Sequence, residues 1–325
     1  MRSEIQTLPE LFLERLRKII PKNKFDAVAN SFSEPKPTTF RVNALKIQSS
    51  KVVREKLESQ GFRLKVISWF PNAFMIVGAV REPPLRALQE TDVYKNGEIY
   101  VQNLSSMIPP LVLDPKPSEK ILDLAAAPGS KTTQIASLMH GEGEITAVDN
   151  NRVRFFRLKA NLELQAARNV RPMLAYGESI GRKFPNYFDK VLLDAPCSSE
   201  GRFDVREPRS FGYWKPRKVL EMARKQKKLL YSAISALREG GILVYSTCTF
   251  APEENEAVLD WALKKFKGGL ELERIQLPLS NQMSGVTQWE GERFDPSVAR
   301  AVRIIPAREM EGFFVARIKK TQITV

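Results

Sequence analysis

From about residue 119 onward, short apolar runs alternate strictly with stretches at helical spacing. The apolar runs are KILDLAA (120–126), EITAVD (144–149), 170–175, KVLLDA (190–195) and GILVYST (241–247). Between and after them, 130–140, 151–166, about 216–238 and Pro252 to about Lys265 read as helices, and GFFVARI (312–318) as a closing strand. Apolar strands separated by helices predict a parallel, doubly wound sheet covered on both faces. Such sheets bind ligands at the carboxyl ends of their strands, so the residues just past each strand are the informative ones.

The first hundred residues follow another pattern. Leu8, Leu11, Phe12, Leu16, Ile19 and Ile20 recur at helical spacing over 8–20, until Pro21 stops the run and leaves a basic amphipathic helix. β-like runs at 39–45, 63–69 and 73–78 surround a helix at about 50–59 that Gly61 closes. The expected organisation is a small α+β domain at 1–105 and an α/β Rossmann-like domain at 106–325.

Charge adds a partner. With 51 Lys+Arg against 37 Asp+Glu, the net charge is +14, which points to a polyanion and first to nucleic acid; a merely soluble basic protein is the plainer alternative. No run approaches the roughly 18 apolar residues of a membrane span, and the mixed-charge N-terminus is unlike a signal peptide, so a cytoplasmic protein is expected. Two cysteines are too few for a disulfide scaffold or a structural zinc site, and the single histidine, His140, lies at a predicted helix end. No metal is expected, and the chemistry falls to Cys, Asp, Lys or a cofactor.

After the first strand comes DLAAAPGSK (123–131), where small residues and Gly129 let a ligand approach the backbone. Asp149, about 20 residues further, stands where nucleotide folds put an acid on ribose hydroxyls. The loop matches neither the P-loop nor the G-x-G-x-x-G pattern, so a nucleoside triphosphate or dinucleotide fits poorly. The fourth strand ends in DAPCSSEG (194–201) and the fifth in YSTCT (245–249). Adjacent strand ends lie about 5 Å apart, so Cys197, Cys248 and Asp194 share one cleft. Singly, each cysteine reads as a small buried hydrophobe; two at neighbouring strand ends read as chemistry.

A thiolate has a specific use on a pyrimidine. Carbon 5 of cytosine is not nucleophilic, but thiolate addition at carbon 6 makes it so; the carbon 5 proton must later leave and the thiolate be expelled. Nucleophile, base and donor at ring nitrogen 3 correspond in number to Cys248, Cys197 and Asp194, and spacing alone allows either order of the cysteines. Helix N-termini following both were expected to lower a thiol pKa.

These motifs, with Arg41-Val42-Asn43, IYVQNLSSM (99–107), the Gln226 helix, PEENE (252–256) and Gly312-Phe313-Phe314, make the chain resemble the Nop/Sun family of RNA (cytosine-5) methyltransferases over most of its length. The resemblance implies a class I methyltransferase sheet whose final strand inserts antiparallel beside the fifth. It implies S-adenosylmethionine as cofactor, held by Ala125, Ala126, Ala127, Pro128, Gly129, Ser130, Lys131, Asp149, Arg154 and Asp194. It implies Cys248 as the attacking thiol, with Cys197 serving proton removal or product release. The sequence departs from the family at Tyr176, which takes the slot of an adenine-reading acid and passes that task to Glu178 or backbone. Ala125 and Ser199, where relatives often carry Cys and Gly, were expected to leave the mechanism untouched.

The expected substrate is RNA, bound by the domain at 1–105, ribosomal ahead of transfer RNA because no tRNA-type module is read after the catalytic domain, and the expected state is monomeric. Two rivals differ in their predictions. An exocyclic-amine methyltransferase would carry an aromatic where Cys197 stands; a non-catalytic ribosome-assembly protein would not need Asp194, Cys197 and Cys248 intact. The basic run 215–228 is a candidate phosphate contact, and Phe203, Phe211 and Trp214 are either base-stacking or core residues.

Overall fold

A computed structural model describes residues 8–79 and 83–321. Helix α1 (Glu10–Ile19) buries Phe12, Leu16 and Ile19. Pro21 ends that run and stands at the cap of a second helix, Lys22–Ser31, which periodicity alone did not reveal. Strands Arg63–Val66, Ala73–Gly78, Thr39–Val42 and Ile99–Val101 then form an antiparallel sheet in that order. Helix Ser50–Glu58 lays Val53 and Leu57 against Phe40, Phe74 and Ile99, so this sheet has its own core.

The second sheet has nine strands: β1 (Lys120–Asp123), β2 (Glu144–Asp149), β3 (Val170–Leu174), β4 (Phe188–Asp194), β5 (Leu237–Thr247), β6 (Leu270–Glu273), β7 (Gln282–Ser284), β8 (Val302–Ile304) and β9 (Phe313–Lys320). Their order is β7-β8-β9-β5-β4-β1-β2-β3, with β6 added to β9. β1 to β5 pair in parallel, whereas β9 runs antiparallel to β5 with Phe314 opposite Thr247. The chain reverses direction of travel between β1 and β4, which makes that edge the switch point where a ligand crevice opens. Helices α2 (Leu104–Leu113), α3 (Ser130–Leu138), α4 (Arg152–Leu164), α5 (Pro216–Ala236) and α6 (Glu256–Lys265) complete the catalytic body.

α2 contains Pro109 and Pro110, yet eight of its residues are buried, so packing overrides propensity. One boundary departs from the sequence reading, which begins the last helix at Pro252. α6 starts at Glu256, because 252–255 are spent on turns that carry buried polar contacts.

The two sheets are joined by buried polar side chains. Arg41 donates to Gln102 Oε1 at 2.9 Å and, across the boundary, to Thr133 Oγ1 at 2.7 Å on α3. Asn43 donates to the carbonyls of Gly97 and Gln165 at 3.0 and 2.9 Å. α1 packs against the second sheet's body, its Phe12 ring centroid 4.9 Å from that of Phe203 and 5.8 Å from Trp214. Among the described residues, no helix is long and apolar enough to cross a membrane.

Candidate active site

The site is built from the carboxyl ends of β1, β2, β4 and β5. Gly129, between β1 and α3, has φ +103°, and a Cβ there would lie 2.9 Å from Leu158 Cδ1, so the turn demands glycine. Asp149 ends β2; its carboxylate accepts from the backbone N–H of Asn151 at 2.9 Å and of Ala127 at 3.3 Å, tying two loops together. Arg154 donates to the Ala127 carbonyl and lies 3.6 Å from Asp149.

Two adjoining cavities of about 350 Å³ each open along these ends and share Ala125, Ala127, Arg154, Asp194, Arg202 and Cys248. One extends to Asp149, Gly177 and Glu178. The other is lined by Ala126, Pro128, Ser130 and Lys131 and reaches Asp123. Every residue of the expected cofactor set except Gly129 therefore lines the cleft, and Gly129 shapes the turn. Tyr176 does not line it and is 70% exposed, so of the two candidates for the adenine end only Glu178 faces the cavity.

Asp194, at the end of β4, accepts from Lys131 Nζ at 2.6 Å and from Ser246 Oγ at 2.7 Å. Lys131 also donates to Ser106 Oγ at 2.7 Å, so its ammonium is held between two elements. Asp123, buried beneath the loop and accepting from Thr132 Oγ1 at 2.6 Å, is pushed up by that burial to about 6.

The sulfurs of Cys197 and Cys248 are 3.3 Å apart, and both are free thiols. Their states differ. Cys248 is lowered, first by its hydrogen bond with Cys197 and also by the Arg202 cation. Cys197 is raised, first by that same hydrogen bond and then by burial. Ser199, in the left-handed region at φ 62°, brings its hydroxyl to 3.6 Å from Cys248 Sγ and 4.0 Å from Cys197 Sγ, so this departure from glycine does touch the reactive groups.

One expectation is corrected and one open alternative is decided. Helix N-termini do not act on the thiols: Cys197 is followed by a single 3₁₀ turn, Glu200–Arg202, and α6 begins eight residues after Cys248. The lowering of Cys248 comes from Cys197 and Arg202 instead. Phe203, Phe211 and Trp214 are buried and not free to stack on bases; Trp214 Nε1 donates to Glu200 at 2.8 Å, and the rings pack with Phe12.

Sequence reasoning missed Arg202, Gln226 and Glu254 as site components. Arg202 sits in an irregular loop without a periodic signal, and the other two lay in segments recognised without an assigned task. The structure gives Arg202 a fixed seat. Gly201 N–H donates to the Cys248 carbonyl at 2.9 Å and Gly201 O accepts from Gly312 N–H at 3.1 Å, a fit so close that a Cβ on Gly201 would lie 2.2 Å from Gly312 O.

A family model described as 16S rRNA methyltransferase RsmB/F matches residues 110–319, and one for the N-terminal domain of 16S rRNA methyltransferase RsmF matches residues 8–104. The chain is 38% identical to a tRNA (cytosine(49)-C(5))-methyltransferase of Pyrococcus abyssi, covering 98% of each. It is 37% identical to the ribosomal RNA small subunit methyltransferase F of Vibrio campbellii over 96% of this chain but 63% of that protein. A crystal structure of a methyltransferase homologue from Pyrococcus horikoshii superposes with a TM-score of 0.76 at 34% identity, over 96% of this chain and all of that one. The NSun6 structure from the same organism, solved with the S-adenosylmethionine analogue SFG, shares the fold with a TM-score of 0.80 at 23% identity, over 98% of this chain and all of that one.

Proposed function

The chain belongs to the RsmB/F family of S-adenosylmethionine-dependent RNA (cytosine-5) methyltransferases, and from that premise we propose that it methylates a cytosine of tRNA or ribosomal RNA through a covalent adduct on Cys248. The observation that carries this reading is the 3.3 Å contact between the two sulfurs, with Cys248 as the thiol favoured to ionise.

The cleft fits the cofactor. Alanines 125 to 127 leave room against the backbone, and the cavities carry acids (Asp123, Asp149, Glu178, Asp194) beside cations (Lys131, Arg154, Arg202), a mixed lining suited to a ligand with both a cationic sulfur and ammonium and a carboxylate. Asp149 would take the ribose hydroxyls, Glu178 and the neighbouring backbone the adenine end, and Arg154 would brace the loop. Bound S-adenosylmethionine supplies a methyl group on a positively charged sulfur.

The chain's own residues do the rest. The Cys248 thiolate adds to carbon 6 of the base, while the Lys131–Asp194 pair delivers a proton toward ring nitrogen 3, which leaves carbon 5 nucleophilic. Once carbon 5 is methylated, Cys197, having given its own S–H proton to solvent after Cys248 bonds carbon 6, takes the carbon 5 proton or assists release; the C–H electrons restore the carbon 5–carbon 6 double bond as the carbon 6–sulfur bond breaks, Cys248 leaves as thiolate, and ring nitrogen 3 returns its proton to the Lys131–Asp194 pair. The closeness of the sulfurs supports this division, since a thiol that hydrogen-bonds a thiolate is placed to exchange a proton beside it. The expected preference for ribosomal RNA gains no support from the relatives, because a tRNA enzyme and a ribosomal RNA enzyme match at 38% and 37% identity.

Cys197→Ala is expected to accumulate a denaturant-resistant protein–RNA adduct, and Cys248→Ala none. Absence of an adduct with Cys197→Ala, together with full activity of Cys248→Ala, would overturn the assignment. Bisulfite sequencing of RNA from cells with and without the gene reads substrate and position together.

A further inference from the structure

Behind the cysteine loop lies a buried pair with no task in the reaction as derived. Gln226 of α5 and Glu254, in the turn before α6, both have no solvent exposure. The Gln226 amide spends its two N–H groups on Pro196 O at 3.0 Å and Glu254 Oε2 at 2.8 Å. Glu254 Oε2 also accepts from the backbone N–H of Ser198 at 3.0 Å. The pair thus grips the chain on both sides of Cys197. The opposite amide orientation would set an oxygen against Pro196 O and Glu254 Oε2, two acceptors, so the orientation is dictated.

One atom on each partner is left over. Gln226 Oε1 and Glu254 Oε1 are both buried without a hydrogen-bond partner, which is costly for any polar atom and more so for a carboxylate. Both are acceptors as long as Glu254 is ionised. A single proton on Glu254 Oε1 would make it a donor, and the amide oxygen left over on Gln226, the residue that already bonds Glu254 Oε2, is an acceptor for it, which would close a two-bond ring between acid and amide.

We propose that Glu254 is held as the neutral acid, completes this ring with Gln226, and is the positioning residue that fixes the backbone of Cys197 for turnover. The inference rests on the reading that Cys197 takes part in the reaction. Its surroundings favour the neutral form. Burial raises the Glu254 carboxyl to about 8, and the charge of Glu200 nearby adds to the rise. The other titratable groups around it are Cys197 on the gripped loop and Tyr245 on β5, whose hydroxyl donates to the Glu254 carbonyl at 2.6 Å. Arg303 on β8 is committed to Glu256 at 2.6 Å. Because the folded pKa is raised, the ring is intact below about pH 8 and is lost above it. Ionisation then removes one bond of the ring and puts a negative charge next to Cys197. Turnover should therefore fall on the alkaline side, although Cys248 gains thiolate there.

The test compares E254Q with E254A. A glutamine at 254 rebuilds the ring from its own amide, so E254Q should recover most of the single-turnover rate that E254A loses by tenfold or more at pH 7, and should lack the alkaline decline of the natural enzyme. An independent measurement needs neither RNA nor turnover: the infrared difference between natural protein and E254Q at pH 7 should contain a protonated-carboxyl band that fades by pH 9.5. An alkaline limb unchanged in E254Q, an E254Q rate as low as E254A, or no such band each overturns the proposal. The band is independent of what Cys197 does, whereas the adduct assay with Cys197→Ala is independent of Glu254, so failures of the two readings are separable.

Discussion

Cys197 and Cys248 each follow a strand end, yet their surroundings push them apart: their shared hydrogen bond and Arg202 lower Cys248, whereas the same bond, burial and Glu254 raise Cys197. Since Arg202 is mostly exposed and lowers Cys248, Arg202→Ala should move the pH midpoint of Cys248 alkylation upward without unfolding the protein. Peptide mapping after a pulse of iodoacetamide reads this, and an unmoved midpoint would discard the role of Arg202. Asp149 is tied to two backbone N–H groups and lines the cavity, so Asp149→Ala should weaken cofactor affinity about tenfold or more, as one to two lost hydrogen bonds to a charged group imply. Calorimetry should find RNA affinity unchanged in the same variant. These residues were visible in the sequence because each stands just past an apolar strand; Arg202 was not, since its position depends on Gly201 pressing against Gly312, more than a hundred residues away.

At the scale of elements, α1 shows how periodicity gives a face but not its destination. The spacing of Phe12, Leu16 and Ile19 predicts a buried stripe on a basic amphipathic helix. The stripe in fact seals the aromatic group of Phe203, Trp214 and Phe250 that lies under the loop between β4 and α5. Phe12→Ala should cost about 3–5 kcal/mol, the usual range for removing a fully buried aromatic. A lower melting temperature in calorimetry would show it, accompanied by loosening of the cysteine loop because Trp214 holds Glu200. Strands β6, β7 and β8 were missed for a different reason: three or four residues carry too little pattern to register.

For the molecule as a whole, the net charge of +14 makes RNA binding a salt-dependent quantity. Affinity for substrate RNA should fall by about tenfold or more between 50 and 200 mM salt, as neutralising about three phosphates of a single strand implies. Arg224 and Lys228 are exposed on α5, where Lys225 lines the cleft. Replacing both by alanine should reduce the slope of log affinity against log salt by about one to two, and an unchanged slope would send the RNA across another face.

The sequence by itself determined the doubly wound sheet, the switch-point cleft and the identity of the groups around it. Those properties follow from the alternation of apolar strands with helices and from small or reactive residues at strand ends, and both are local in the chain. Tertiary structure alone decided that the two thiols are pushed in opposite directions, which acid lines the cavity in place of Tyr176, and that Gln226 and Glu254 grip Cys197 from behind. Each of these depends on partners dozens of residues apart brought within hydrogen-bond distance in a dry interior, where a proton's position is set by burial and neighbouring charge rather than by residue type.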